Sequence, residues 1–389
     1  MRFTPLLGPA LPYLIGAFVA AVLLSLVLTP LVRRIALHVD AVDQPGRRRV
    51  NVIPIPRGGG VAVATAFILV VLAFGAANAW LRFLPSPITV DPQAVVALVL
   101  GGALAAAFGV LDDYFDLRAR WQFAGQLILA GVAIGLGVTI DFFTNPIGPG
   151  IVRLDTPFAI GFTVLWIVGM INSINFIDGL DGLSSGVVFI AAVTLGLISL
   201  TLVSQPYVAV LCFTLAGALL GFLRYNFHPA SVFVGTSGVM FMGFTLAVLS
   251  ILGTAKIAVA LLVLAVPIID AFWIIVRRIV QGRSPFSPDR GHLHHRLLDV
   301  GLSHRQTVLL IYAVCAGLGV LSLLLSGAGQ VYAFLGVFVM IGLALFALSR
   351  MGLDGPDDEE ANGDRVEGAG EARDTRDEER SAAQISRTS

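Results

Sequence analysis

Long apolar runs, separated by short polar segments, occupy the chain between residues 12 and 348. A transmembrane α-helix needs about 20 mostly apolar residues. Eleven runs approach that length, with centres near residues 22, 68, 102, 131, 165, 193, 216, 247, 267, 316 and 340. The pattern predicts an all-α integral membrane protein with about eleven transmembrane helices. We interpret the first run, Pro12–Val32, as a retained helix, because it is too long for the apolar region of a signal peptide and basic residues follow it.

Basic residues are concentrated in alternate connecting segments. The side reached after the first helix holds 21 of the 25 Arg and Lys residues, and the opposite side holds only Arg2, Arg82, Arg153 and Lys256. Cytoplasmic loops of membrane proteins carry such an excess of Arg and Lys. We therefore expect a multi-pass plasma-membrane protein with its N-terminus outside and its C-terminus in the cytoplasm.

Composition excludes two other classes of protein. Hydrophobic residues make up 57% of the chain and charged residues 13%, and the mean hydropathy is +0.88. A soluble domain carries about 25% charged residues, and a disordered chain combines low hydrophobicity with high charge. Cys212 and Cys315 lie inside apolar runs, so we expect two buried free thiols rather than a disulfide.

The end of the chain differs from the rest. Residues 351–389 hold 12 acidic residues and 5 Arg with almost no apolar residues, so this segment cannot form a core. We predict a polytopic membrane domain over residues 1–348 and a disordered acidic cytoplasmic tail over residues 349–389.

The polar clusters fall in the predicted cytoplasmic loops, which suggests a cytoplasmic active site built from several loops. In the second of these loops, Asp112, Asp113 and Asp116 follow the third helix. If that helix continues, Asp112 and Asp116 share one face. Clustered carboxylates need a cation or a proton, and Mg²⁺ with substrate phosphates fits this position. A merely solvated helix end is disfavoured, because negative charge at a helix C-terminus opposes the dipole.

Polar residues recur every three positions in the third loop, at Asn172, Asn175, Asp178 and Asp181. On an α-helix this spacing drifts by about 60° per step, so neighbouring pairs share a face but all four cannot. Two glycines in the same segment predict that the helix ends near Asp178. The amides and carboxylates are then expected to face a cavity suited to a hard metal ion and a nucleotide.

The first and fourth loops give weaker signals. In Pro56-Arg57-Gly58-Gly59, backbone N–H groups can converge on an anion beside Arg57, although a flexible start to the second helix explains the glycines equally well. The fourth loop, Arg224–Gly238, is rich in Gly and Ser and by itself is consistent with a plain connector.

The fifth loop contains His292-Leu293-His294-His295-Arg296. The spacing does not match a zinc motif such as HExxH. Histidines beside arginines suit phosphate binding, and an interfacial helix that binds lipid head groups is the alternative. The two interpretations are compatible with each other if Arg lies at the rim and His lies inside.

Asp270 lies inside the ninth apolar run, three residues after Pro267, which should kink that helix. A carboxylate within a membrane is a functional candidate, unless it only pairs with the nearby Arg277.

Together these loops resemble the polyprenyl-phosphate N-acetylhexosamine-1-phosphate transferases, glycosyltransferase family 4. The similarity covers nearly all of residues 12–348 and rests on Pro56-Arg57-Gly58-Gly59, Asp112-Asp113-Tyr114-Phe115-Asp116, Asn172 through Gly182, and His292-Leu293-His294-His295-Arg296. The first and last motifs resemble the WecA/TagO-like branch, which transfers GlcNAc-1-phosphate, rather than the related MraY branch, which makes lipid I.

The resemblance implies transfer of N-acetylhexosamine-1-phosphate from a UDP-sugar to undecaprenyl phosphate, with release of UMP, to start cell-envelope glycan synthesis. It implies Mg²⁺ or Mn²⁺ as cofactor, because two anions must meet. It implies catalytic roles for Asp112, Asp113, Asp178 and Asp181. It further implies substrate binding by Arg57, Asp116, Asn172, His292, His294, His295 and Arg296, and metal binding by Asn175 and Asp178.

One departure from the family pattern concerns the metal. Thr236 occupies the position of the family's usual metal-ligating Asp, and Asn51 stands where a basic or His residue is common. A neutral hydroxyl is a poorer Mg²⁺ ligand than a carboxylate. Three explanations are open: another carboxylate binds the metal, the sugar substrate differs, or the enzyme is weakened. The first is favoured because the other motifs are intact.

The implied partners are UDP-N-acetylhexosamine, undecaprenyl phosphate and the lipid bilayer, with no nucleic acid and with a homodimer as a candidate assembly. The rival functions are a phospho-MurNAc-pentapeptide transferase of the MraY type, a membrane transporter and an inactive relative. Transporters place polar sites near the bilayer midplane, whereas here only Asp270 lies deep in an apolar run.

Overall fold

A computed structural model describes residues 7–43, 54–81, 90–145, 150–203, 205–252, 257–280, 282, 292–325 and 327–350. Arg2, Asn51, Arg82, Lys256 and the predicted acidic tail lie outside the described residues. The chain divides into two compact units, Met1–Ala344 and Leu345–Ser389. Only the end of the last helix is described in the second unit, so the predicted domain boundary after residue 348 stays a prediction.

Within the described ranges the chain forms thirteen helices and four short strands. The helices are α1 (Leu7–His38), α2 (Gly60–Leu81), α3 (Pro92–Phe115), α4 (Ala119–Gly135), α5 (Thr156–Ile177), α6 (Leu183–Thr201), α7 (Pro206–Asn226), α8 (Gly235–Leu252), α9 (Ile257–Val263), α10 (Ala265–Val280), α11 (Leu293–Asp299), α12 (His304–Leu324) and α13 (Ala328–Arg350). The strands are β1 (Val42–Asp43), β2 (Ile55–Pro56), β3 (Phe142–Thr144) and β4 (Ile151–Arg153).

The lengths of these helices confirm the predicted class, an all-α integral membrane protein. Among the described helices, nine are long and apolar enough to cross a membrane, and α9 with α10 makes a tenth if the bent pair is one span. Helix α4, which corresponds to the fourth predicted span, has 17 residues and is therefore about 26 Å long. The count of eleven transmembrane helices stays a prediction.

The predicted kink near Pro267 is a sharp bend. Helices α9 and α10 meet at an angle of 78° on either side of Leu264. Pro267 has no backbone N–H, and its ring would clash with the carbonyl of residue 263 in a continuous helix. The bend therefore falls one turn before the proline.

Helices α6, α7 and α8 form the interior of the membrane domain. Between 72% and 78% of their most apolar windows is buried, against 22% for α1. A Cβ at Gly60 would lie 1.9 Å from Cα of Gly238, and one at Gly109 would lie 2.3 Å from Cα of Ser237. Only glycine allows this approach, which brings the start of α2 and the end of α3 against the start of α8.

Two of the loops are joined by backbone hydrogen bonds. Strands β1 and β2 pair antiparallel, with Asp43 opposite Ile55. Phe233 donates its N–H to the carbonyl of Pro56 at 2.9 Å, and Gly59 donates to the carbonyl of Phe233 at 2.9 Å. The fourth loop therefore extends the small ribbon of the first loop instead of serving as a plain connector.

The two cysteines agree with the sequence prediction. Cys212 in α7 and Cys315 in α12 are both buried and unoxidised.

Candidate active site

A polar cavity of about 360 Å³ lies where the predicted cytoplasmic loops meet. Of the described residues, four carboxylates line it, together with two carboxamides, a guanidinium, an imidazole and a hydroxyl. They are Asp43, Asp113, Asp178 and Asp181, then Asn175 and Asn226, Arg57, His295 and Thr236.

Six predicted site residues therefore share one cavity with Thr236, where the resemblance implies a metal-ligating carboxylate in the family. These six are Arg57, Asp113, Asn175, Asp178, Asp181 and His295. The other predicted site residues are not among its lining; they are Asp112, Asp116, Asn172, His292, His294 and Arg296.

Asp113 binds the N-terminus of α8. Its Oδ1 accepts the N–H of Thr236 at 2.7 Å, and its Oδ2 accepts the N–H of Ser237 at 3.1 Å. The first N–H groups of a helix have no partner within the helix, and the dipole favours an anion there. One residue thus fixes the end of α3, the start of α8 and the position of Thr236 in the cavity wall.

The expectation that Asp112 and Asp116 share a helical face is wrong. Helix α3 ends at Phe115, and Asp116 is an exposed C-cap residue in the left-handed region with φ of 50°. Asp112 is buried, and its Oδ1 accepts the Leu117 N–H at 3.1 Å and the Gln122 side chain at 2.9 Å. The three carboxylates therefore diverge, and only Asp113 points into the cavity.

The third loop ends its helix where the sequence predicted. Helix α5 stops at Ile177 and Asp178 is its C-cap residue. Ser184 donates its hydroxyl to Asp178 Oδ1 at 2.5 Å. Burial raises the pKa of Asp178 to about 7, the hydrogen bond from Ser184 opposes this rise, and the negative charges of Asp113 and Asp181 add to it. This carboxyl therefore titrates near neutral pH, as acid–base groups at functional sites often do, and a metal ion would bind its deprotonated form.

Asn172 turns away from the cavity, as the three-residue spacing requires for at least one of the four polar groups. Its Nδ2 donates to Gln126 Oε1 at 2.7 Å and to the carbonyl of Val168 at 2.8 Å. The side chain therefore joins α5 to α4.

Asp181 lies at the centre of a second cluster, with His228 and His304. Asp181 Oδ2 is 2.7 Å from His228 Nδ1 and accepts the Ala230 N–H at 3.0 Å. The rings of His228 and His304 stack with centroids 4.0 Å apart and an angle of 20° between their planes. One ligand atom from each of the three lies within 4.8 Å of the others, which is compatible with a divalent metal. An ion bound by an imidazole lies close to the plane of the ring, and these two planes are nearly parallel, so both rings could bind one ion only after one of them rotates.

The histidine segment is buried deeper than the sequence suggested. His292 and His294 are buried, and Arg296 is 1% exposed, so the expectation of Arg at the rim is wrong. Burial lowers the pKa of His294 well below its usual range, and the neighbouring histidines lower it further. His294 Nε2 faces Gly179, where a Cβ would lie 2.2 Å away, and within the described residues it has no hydrogen-bond partner.

Asp270, in the ninth apolar run, contacts the start of the histidine segment. It is 1% exposed, and its Oδ2 lies 2.9 Å from His292 Nδ1. Its Oδ1 accepts the N–H of Leu293 at 2.8 Å.

Sequence reasoning missed Asp43, Asn226 and His228. Asp43 forms an ion pair with Arg57 across the first loop. Asn226 accepts the Ser185 hydroxyl at 2.7 Å and donates to the carbonyl of Val232 at 3.0 Å. A carboxylate just before an arginine-rich stretch was the available signal for Asp43. Asn226 and His228 lay in a loop that looked like a connector.

The donor set of the cavity fits a hard divalent cation. Carboxylate and amide oxygens are the ligands that Mg²⁺ prefers. The cavity lining offers such oxygens from Asp113, Asn175, Asp178 and Asp181. Thr236 lies among them, so neighbouring carboxylates can supply the charge that its hydroxyl lacks.

Fold and site together define a multi-pass membrane protein with an acidic, metal-compatible cavity at one end of its helices. The family model described as glycosyl transferase family 4 matches residues 95–254. A "Probable undecaprenyl-phosphate N-acetylglucosaminyl 1-phosphate transferase" of Bacillus subtilis (strain 168) is 35% identical over 84% of this chain and 89% of its own length. A "Decaprenyl-phosphate N-acetylglucosaminephosphotransferase" of Mycolicibacterium smegmatis is 36% identical over 86% of this chain and 88% of its own. An "Undecaprenyl-phosphate alpha-N-acetylglucosaminyl 1-phosphate transferase" of Salmonella typhi is 29% identical over 75% of this chain and 78% of its own. The chain belongs to glycosyl transferase family 4.

Proposed function

We propose that this chain transfers N-acetylglucosamine 1-phosphate from UDP-GlcNAc to a polyprenyl phosphate and releases UMP. The observation that carries the proposal is the convergence of Asp113, Asp178, Asp181 and Asn175 on one cavity, in a chain that aligns along most of its length with named N-acetylglucosamine-1-phosphate transferases. The names of these relatives favour N-acetylglucosamine over a MurNAc-pentapeptide. The location of the lining residues at helix ends, away from the midplane, favours a transferase over a transporter.

In the proposed reaction a phosphate oxygen of the lipid forms a bond to the sugar-linked phosphorus. The bond from that phosphorus to the bridging oxygen of the diphosphate breaks, and UMP leaves with the electron pair. Both reactants are anions, so positioning and charge neutralisation are the main tasks of the protein. Arg57 and His295 supply donors for phosphate oxygens in the cavity wall.

We propose Mg²⁺ or Mn²⁺ as the cofactor, held by Asp178 and Asn175 with help from a neighbouring carboxylate. The bound ion would neutralise the diphosphate charge and so favour departure of UMP. Asp178 suits this role because its carboxyl lines the cavity together with Asn175, and Ser184 holds its Oδ1 in place.

Three other carboxylates also have positioning roles in this proposal, whichever of the cavity carboxylates helps to bind the ion. Asp113 holds the α8 N-terminus, Asp112 holds the turn from α3 to α4, and Asp181 joins the third loop to the fourth. We further propose that the cavity faces the cytoplasm, where nucleotide sugars occur, with the N-terminus outside and the C-terminus inside.

The variant Asp178→Asn tests the site assignment. Purified enzyme in lipid nanodiscs would be assayed for UMP release from UDP-GlcNAc in the presence of undecaprenyl phosphate. Asp178→Asn should lose most activity, on the order of 100-fold or more, because it removes a metal ligand. Asp155→Asn is the matched control, since Asp155 is exposed at the start of α5 and its side chain makes no capping bond. Equal activity of Asp178→Asn and the control would contradict the assignment.

A further inference from the structure

A buried carboxylate outside the cavity holds the histidine segment in place. Asp270 lies in α10, is 1% exposed and is not part of the cavity lining. Both of its oxygens are engaged by the start of α11, one by His292 Nδ1 at 2.9 Å and the other by the Leu293 N–H at 2.8 Å. A buried carboxylate is costly unless it is fully paired, so this contact is a specific one.

The contact with Asp270 determines which nitrogen of His292 carries a proton. A carboxylate oxygen only accepts hydrogen bonds, so Nδ1 of His292 must donate, and the ring is held in one orientation. Helix α11 has seven residues, which is too short to be stable without anchoring contacts. Asp270 supplies such a contact to both the ring and the backbone of its first turn.

The orientation of His292 is passed on to the cavity through stacked rings. The rings of His292 and His294 are nearly parallel, with centroids 5.6 Å apart and 9° between their planes. The ring centroids of His294 and His295 are 4.3 Å apart. His295 lines the cavity. His294 also abuts Gly179, in the turn that follows Asp178. A tilt of His292 would therefore displace both the imidazole at the cavity and the third loop.

We propose that Asp270 is a positioning residue of the transferase, which fixes the His292 tautomer and thereby places His295 for the substrate diphosphate. The proposal rests on the proposed function, because it assigns the histidine segment to nucleotide-sugar binding. It differs from a purely structural role, in which any polar residue that anchors α11 would suffice.

Asp270→Asn separates the two roles. The amide oxygen can still accept the Leu293 N–H, which keeps the anchor, but the NH₂ group then faces Nδ1 and requires it to be an acceptor. We expect KM for the nucleotide sugar, and Kd for UDP alone, to rise about 10- to 100-fold, as when outer-shell partners are lost, with a smaller change in kcat. In ¹⁵N-histidine NMR spectra of the nanodisc-bound protein, one imidazole should change from the Nδ1–H to the Nε2–H form.

A double-mutant cycle completes the test. In the His292→Gln background, Asp270→Asn should change KM and UDP affinity little further, because both residues act through one contact. Losses that multiply in the double variant, or Asp270→Asn protein with unchanged KM, UDP affinity and His tautomer, would overturn the proposal. If Asp270→Asn does not fold, the single variants His292→Gln and Asp270→Glu each perturb the same contact, one from each partner. Unaltered UDP affinity in both variants would again refute the proposal. UDP binding and the tautomer are read without turnover, so failure of the wild type to release UMP would count against the proposed function alone.

Discussion

Replacing Thr236 by Asp tests the proposed metal site at the position where the resemblance implies a carboxylate. The Thr236 N–H already donates to Asp113 at 2.7 Å, and its side chain shares the cavity with three further carboxylates and Arg57. A new carboxylate would lie near that of Asp113, and two unit charges about 4 Å apart repel by about 4 kcal/mol at an effective dielectric constant of about 20, before solvent screening. The metal-free variant should therefore be less stable than the wild type by about 1–3 kcal/mol.

A divalent cation in the cavity reverses the sign of this effect. At equal distance the added charge attracts the doubly charged Mg²⁺ about twice as strongly as it repels Asp113, so binding should be favoured by at least about 1.4 kcal/mol, which is tenfold in affinity. We expect Thr236→Asp to lower the Mg²⁺ concentration for half-maximal UMP release about tenfold, and Mg²⁺ to raise its thermal midpoint more than that of the wild type. Thr236→Asn is the matched control, because it has nearly the size of Asp without the charge.

Both readouts are Mg²⁺ titrations on nanodisc-bound protein, one of UMP release at fixed UDP-GlcNAc and one of the thermal midpoint without substrate. Coincident curves for Thr236→Asp, Thr236→Asn and the wild type would refute the placement of the metal beside position 236. A stable but inactive Thr236→Asp, with Mg²⁺ still bound, would mean that the cavity is built around a neutral residue, and the assigned substrate would need revision.

Three further predictions follow from the cavity and the tail. Asp113→Asn should lower turnover strongly and also cost about 1.5–3 kcal/mol of stability, because one N–H at the start of α8 loses its charged acceptor; normal UMP release by this variant would argue against the role of Asp113. Because the pKa of Asp178 is about 7 and a metal must displace its proton, the Mg²⁺ requirement should fall as pH rises from about 6 to about 8; a requirement independent of pH would contradict the assignment of Asp178 as ligand. Deleting residues 354–389 should leave activity nearly intact, because this segment lacks apolar residues for docking; a severe loss of turnover in folded truncated enzyme would overturn this.

The apolar runs were sufficient to predict the class of fold, because the bilayer requires each span to satisfy its backbone internally over a fixed length. The apolar runs predicted less about where helices bend or end. The bend between α9 and α10 depends on one local clash with Pro267 and was foreseen, whereas the left-handed turn at Asp116 that ends α3 was not.

The site was predicted where its residues are close in sequence and missed where pairing is long-range. The spacing of Asn175, Asp178 and Asp181 was enough to place all three in one cavity. Arg57 pairs with Asp43, and Asp181 pairs with His228. The two members of each pair come from different segments, and no local pattern marks such pairs. Burial of Arg296 likewise depends on the packing of α11, which its charge alone would not suggest.

The central claim is that this chain moves a sugar 1-phosphate from a UDP-sugar to a polyprenyl phosphate. The direct measurement is UMP release and lipid-linked sugar formation by the nanodisc-bound protein, with Mg²⁺ and a panel of UDP-GlcNAc, UDP-GalNAc and UDP-MurNAc-pentapeptide. The account predicts equimolar UMP and polyprenyl-diphospho-GlcNAc with UDP-GlcNAc, and neither product when undecaprenyl phosphate is left out. No UMP from any member of the panel, or UMP release that does not need the lipid phosphate, would contradict it.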